Sequence, residues 1–175
     1  MNDIIKSMVE RRSCRKYKPD MVPPDVIDEI IKAGLYAASG HNTQDSIIVA
    51  VTDKETRDKL AEANRKIGGW KEGFDPFYGA PVVLIVLGKI DCPTHVYNGS
   101  LVIGNMLLAA HSLGVGSCWI HRAKQEFEQD EYKALLKKLG IDGEYEGIGH
   151  CILGYADAPN PTPIPREENR VYYIK

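Results

Sequence analysis

From Tyr97 to Leu113 the chain is apolar almost all the way round a helical wheel, with Leu101, Ile103, Met106, Leu107, Leu108, Ala109 and Ala110 distributed over every side. A surface helix shows one apolar stripe; a helix without a polar side needs partners on all sides. Any fold for this chain has to supply that cover. A second strong constraint is Val82 to Leu87, the most apolar run, of strand length and rich in β-branched residues. It predicts a central strand buried on both faces.

The remaining elements follow from period and punctuation. Asp3 is placed to cap a short helix over Ile4, Ile5, Met8 and Val9, ending about Arg11 or Arg12. Pro23 and Pro24 open a second helix whose Val26, Ile27, Ile30, Ile31 and Leu35 share one face. Ile47 to Val51 reads as a strand, followed by a capping box, Thr52-x-x-Glu55, and a polar helix through about Arg65. Gly114 to Ile120 and Ile148 to Leu153 read as strands, with a surface helix between them carrying Tyr132, Leu135, Leu136 and Leu139 and stopped by Gly140. Alternating Pro159, Pro161, Pro163 and Pro165 predict an extended arm over about 156–175. Beyond them Val171 to Ile174 has strand composition and is suited to a sheet edge or a partner chain. The sum is an α+β domain with about five strands.

At 175 residues the chain, 1–175, has the length of a single domain. Its 43% hydrophobic and 26% charged residues exclude disordered and fibrous classes. Lysine plus arginine number 22 against 24 aspartate plus glutamate, a balance that names no nucleic-acid partner. No window approaches the roughly 20 apolar residues that span a bilayer, and the first residues lack a signal-peptide core. Cys14, Cys92, Cys118 and Cys151 include no C-x-x-C pair, which fits reduced thiols and a cytoplasmic setting.

Several chemistries can be set aside. Gly114-x-Gly116 feeds a strand where a dinucleotide fingerprint needs a helix, and neither a P-loop nor a G-x-S-x-G elbow occurs. Cys118, His121, His150 and Cys151 are enough in number for zinc, but on strands each pair splits between opposite faces, so no metal site is expected. Cys118 as a nucleophile lacks any basic neighbour in the sequence to lower its pKa. The aromatics Trp70, Phe74, Phe77 and Tyr78 lie in an irregular stretch and read either as a lid or as a plug for the core edge.

What stands out chemically is Arg11 to Lys18, five cations in eight residues with Ser13 among the arginines. The general alternative is a solvated charge run. Guanidinium forks with a hydroxyl between them, however, match the several acceptor oxygens of a phosphate monoester.

Arg11-Arg12-Ser13-x-Arg15-x-Tyr17, Ala38-Ser39-Gly40-x-Asn42-x-Gln44, Gly104 to Trp119, and Gly149-x-x-x-x-Gly154-Tyr155 resemble, in order and spacing, the FMN-dependent nitroreductase family. The resemblance implies a mostly antiparallel central sheet flanked by helices, in a homodimer that exchanges its C-terminal strand and binds FMN at the subunit interface. It implies that Arg11, Ser13 and Arg15, with Arg12 beside them and Arg166 from the arm, hold the FMN phosphate and ribityl chain. Ala38, Ser39, Gly40 and Asn42 would reach the flavin of the other subunit. Cys118, Trp119, Ile120 and His121 would lie along the ring system, with backbone N–H near its hydride-accepting nitrogen. Larger members place a lysine near the pyrimidine ring; Phe77 and Tyr78 stand about there, leaving Lys71 or a backbone amide for that role. The implied activity is hydride transfer from NADH or NADPH through FMN to a nitroaromatic, quinone or similar acceptor by a ping-pong mechanism, with no dedicated catalytic acid, base or nucleophile. The alternatives are an FMN-storage protein and a specialised flavin enzyme such as a reductive dehalogenase.

Overall fold

β2 (Val82–Lys89) is the strand around which the rest is assembled: its residues Val82 to Leu87 are all fully buried. Strand alternation sends Val83, Ile85 and Leu87 into one core and Val82, Leu84 and Val86 into the other. In the computed structural model, which describes all 175 residues, β2 is an inner strand of a four-stranded antiparallel sheet. β1 (Ser46–Val51) lies on one side of it, and β4 (Tyr145–Gly154) then β3 (Gly116–Ile120) on the other.

One core packs the sheet against α3 (Lys54–Gly68), α5 (Ala123–Phe127) and α6 (Asp130–Lys138) through Leu60, Ala61, Phe127, Tyr132 and Leu136. The opposite core takes α2 (Pro24–Leu35) and α4 (His95–Ser112) through Ile27, Ile30, Val102, Ile103, Met106 and Ala110. Two close approaches set α4: a Cβ on Gly99 would come within 2.6 Å of Ile148, and one on Gly34 of α2 within 2.6 Å of Met106. No helix is long and apolar enough to cross a membrane.

The structure corrects several sequence-based expectations. Within one chain the sheet has four strands, and Val171 to Ile174 form none and lie exposed. α1 (Asp3–Glu10) is capped by Asn2, whose Oδ1 accepts from Ile5 N–H at 2.9 Å, rather than by Asp3. The cap of α3 is Asp53, accepting from Thr56 N–H at 2.8 Å, one residue after the expected Thr52, and the helix runs on to Gly68. α5 has no counterpart among the expected elements, since five residues are too few to show a period.

α4 itself is only half covered. Asn98, Gly99, Val102, Ile103, Met106 and Ala110 are buried, whereas Tyr97 and Leu101 stand out to solvent. α1 buries none of its residues, leaving Ile4, Ile5, Met8 and Val9 exposed.

Candidate functional site

The basic cluster sits against β3, an outer strand of the sheet. Ser13 bridges Ser117 in parallel, and Cys14 N–H donates to the Ser117 carbonyl at 2.9 Å. Tyr17 then bridges Ala156, and its hydroxyl donates to the Cys14 carbonyl at 2.9 Å. Arg11, at the end of α1, leaves its Nη1 buried with no hydrogen-bond partner. Such an orphaned charged donor costs free energy unless an anion meets it. Arg12 turns the other way, its Nη1 donating to the carbonyls of Val9 at 2.6 Å and Arg11 at 2.7 Å, where the helix dipole favours a cation. Arg15 is exposed, and Lys16 pairs with Asp157 at 3.1 Å.

This arrangement surrounds Cys118 with groups its sequence neighbours did not suggest. Burial pushes its thiol above the ordinary value, while the Ser13 hydroxyl and the Arg15 and Arg11 charges act against that rise. Burial outweighs them, so Cys118 stays a thiol at neutral pH. Cys118 and Ile120 turn their side chains into the core and offer a ligand only their backbone. Trp119 points to the other face, where it packs over Gly149; a Cβ there would lie 2.9 Å from the indole.

Immediately after β3 the chain turns through His121 and Arg122. Neither N–H donates a hydrogen bond within the chain. Arg122 has φ +82°, a left-handed conformation costly for any residue but glycine, and its guanidinium stacks 4.4 Å from the Trp70 ring. His121 is exposed. Behind this turn lie three residues that sequence reasoning did not connect with the site: Asn64 of α3, Glu126 of α5 and His150 of β4, all fully buried. Asn64 Nδ2 donates to the His121 carbonyl at 2.8 Å and to Glu126 Oε1 at 2.7 Å. His150 Nε2 meets Glu126 Oε2 at 2.7 Å and its Nδ1 faces the Ile120 carbonyl at 3.3 Å. The partners are 57, 62, 24 and 30 positions apart, so no local pattern could have shown them.

The second group of expected site residues lies elsewhere. Ala38, Ser39, Gly40 and Asn42 belong to the loop that enters β1, the opposite outer strand. Gly40 N–H donates to Asn98 Oδ1 at 3.0 Å, and Ser39 Oγ accepts from Gln44 N–H at 3.1 Å. His41, Asn42 and Gln44 all have positive φ, and strain of this kind collects at binding loops. The loop enters one outer strand and the basic cluster lies against the other, with β2 and β4 between them. Arg166 lies in the exposed tail. Of the aromatic stretch, Phe77 is fully buried and belongs to the core, whereas Trp70, Phe74 and Tyr78 are half-buried, Phe74 packing tilted against Trp70 and edge-on to Tyr78 with centroids 5.1 and 6.1 Å apart. Lys71 is exposed. No group of three or more His, Cys, Asp or Glu side chains is placed to hold a metal ion.

A helix-covered sheet with a partnerless guanidinium nitrogen at the end of α1, next to the segment that bridges one outer strand, and with free peptide donors after that strand is a domain suited to an anionic ligand at its sheet edge. Comparison with known proteins places it more closely: the chain belongs to the Nitroreductase family, whose model matches residues 8–68 and 69–155. It is 30% identical over 181 residues to a candidate NADH dehydrogenase/NAD(P)H nitroreductase of Archaeoglobus fulgidus, covering 96% of this chain and 99% of that one. It is 29% identical over 183 residues to an NADPH-flavin oxidoreductase of Vibrio harveyi, covering 95% and 70%. Among solved structures, a nitroreductase with bound FMN from Bacteroides fragilis superposes with a TM-score of 0.91 at 26% identity over the whole of both chains.

Proposed function

We propose that the protein is an FMN-dependent oxidoreductase that takes hydride from NADH or NADPH and passes electrons to a nitroaromatic, quinone or similar acceptor. The observation that carries this reading is the buried, partnerless Nη1 of Arg11 beside Ser13 and Arg15. A phosphate monoester satisfies such a donor, and FMN is the phosphate-bearing group named in the matching solved structure. FMN, when bound, supplies the two-electron chemistry.

The chain's part is binding and orientation. Arg11, Ser13 and Arg15 hold the phosphate, Arg12 adds charge from the end of α1, and Arg166 joins them if the arm folds back. The free N–H groups of His121 and Arg122 donate to the acceptor atoms along the ring edge, with Trp119 beside them and Cys118 and Ile120 contributing backbone. Ala38, Ser39, Gly40 and Asn42 approach the same ligand from a second copy, because within one chain they lie across the sheet. The site is therefore shared in a homodimer, each chain acting as one FMN-binding domain with residues 156–175 as an arm. Four free, buried cysteines accord with a cytoplasmic location.

Purified protein should be yellow and should bleach when NADH or NADPH is added without oxygen. Because donor and acceptor would use the same face in turn, initial-rate plots at several fixed acceptor concentrations should be parallel. A colourless protein that gains no FMN on titration overturns the reading, and yellow protein that never bleaches turns it into FMN storage.

A further inference from the structure

The Asn64–Glu126–His150 network plays no part in the binding just described, yet all three side chains are fully buried, one carrying a carboxylate. Burying such groups is costly, and here the cost is not fully recovered: Asn64 Oδ1 has no partner. Both groups facing Asn64 Nδ2 are acceptors, which fixes the amide's orientation and leaves that oxygen unsatisfied.

The network ends on two consecutive peptide units. The Ile120 carbonyl, facing His150 Nδ1, belongs to the same peptide as the His121 N–H; the His121 carbonyl, bonded by Asn64, belongs to the same peptide as the Arg122 N–H. Neither of these N–H groups is used by an acceptor in the chain. A carbonyl can only accept, so His150 Nδ1 carries a proton, and the Glu126 carboxyl and His150 Nε2 share another at 2.7 Å. Peptide resonance couples the two ends of each unit: drawing electron density to the oxygen makes the N–H on the far side a stronger donor. Arg122, at φ +82°, holds this turn in a left-handed conformation that costs free energy.

We propose that Asn64, Glu126 and His150 are positioning residues that hold and polarise the Ile120–His121 and His121–Arg122 peptides, presenting two adjacent N–H groups as fixed, strengthened donors to the ring edge on which negative charge grows when the flavin is reduced. This rests on the FMN reading above. Donors fixed in place ahead of the charge they meet need no reorganisation, so they favour the reduced ligand over the oxidised one.

Glu126→Gln and Asn64→Leu test it. Glu126→Gln preserves size and an acceptor for Asn64 while its amide NH2 donates to His150 Nε2, which holds the imidazole neutral and makes its Nδ1–H a weaker donor to the Ile120 carbonyl; Asn64→Leu removes the donor to His121. In FMN-free protein, the amide proton resonances of His121 and Arg122 should move upfield in both variants while those of β1 stay in place. With FMN, preference for reduced over oxidised ligand should fall about tenfold, equal to a potential about 30 mV more negative, with a smaller change in affinity for oxidised FMN. Unmoved resonances and a wild-type potential in folded Glu126→Gln protein overturn the proposal, as does equal weakening of both ligand states with unmoved resonances. Should wild-type protein bind no FMN, the functional reading fails, and the resonances alone decide whether the network polarises the two peptides.

Discussion

Arg11 ends α1 with a buried guanidinium nitrogen that bonds to nothing in the chain, and this is the residue on which cofactor binding should depend most. A charge-assisted hydrogen bond contributes about 1.5–3 kcal/mol, so Arg11→Ala should weaken FMN binding about ten- to a hundredfold with an unchanged melting temperature. Full FMN occupancy in that variant would return the cluster to a solvated charge run. Phe77 and Phe74, three positions apart, should behave differently. Phe77 is fully buried between Arg57 and His150, at 5.4 and 5.3 Å, and truncating it to alanine should cost about 3–5 kcal/mol of stability. Phe74→Ala gives up a tilted contact with Trp70 and an edge-on contact with Tyr78 worth about 1 kcal/mol each and should alter acceptor selectivity instead, read as a change in kcat/KM ratios between acceptors. The arginines and Ser13 were legible in the sequence because they are neighbours on the chain. Asn64, Glu126 and His150 were not, because only the fold makes them neighbours.

β2 and α4 were readable as elements because each holds one chemical character over its whole length, β-branched and apolar in β2 and apolar round the wheel in α4. Their boundaries were less so: caps depend on which side-chain oxygen reaches a free N–H, and both Asn2 and Asp53 took the role from an adjacent residue. α4 also shows how closely elements are seated. Gly99 meets Ile148 of β4 with no room for a methyl group, so Gly99→Ala should lower stability by about 1–3 kcal/mol despite alanine's better helix propensity. An unchanged or raised melting temperature would mean that α4 can move away from the sheet.

At the scale of the whole molecule, the exposed faces of α1 and α4, the exposed tail from Val171 to Ile174 and a candidate site divided between the two outer strands all point the same way. If two chains build each FMN site, ligand binding and dimerisation are linked: FMN that binds only the dimer stabilises it by mass action. Deleting Val171 to Lys175 should then raise both the dimer and the FMN dissociation constants, measured by sedimentation and by titration. A fully flavinated monomer at assay concentration would remove the shared site. By itself, the sequence determined the longer helices, the four strands of the sheet, the β2-centred core and the cationic cluster, since period, run length and adjacent charges are local properties of a chain. Only the tertiary structure decided that Ser13 lies on Ser117, that Arg11 has no partner, that the Ser39 to Asn42 loop lies across the sheet from it, and that a buried carboxylate stands behind the His121 turn. Those facts depend on which strands pair and which faces meet, and the energy that chooses among pairings comes from residues far apart in the chain.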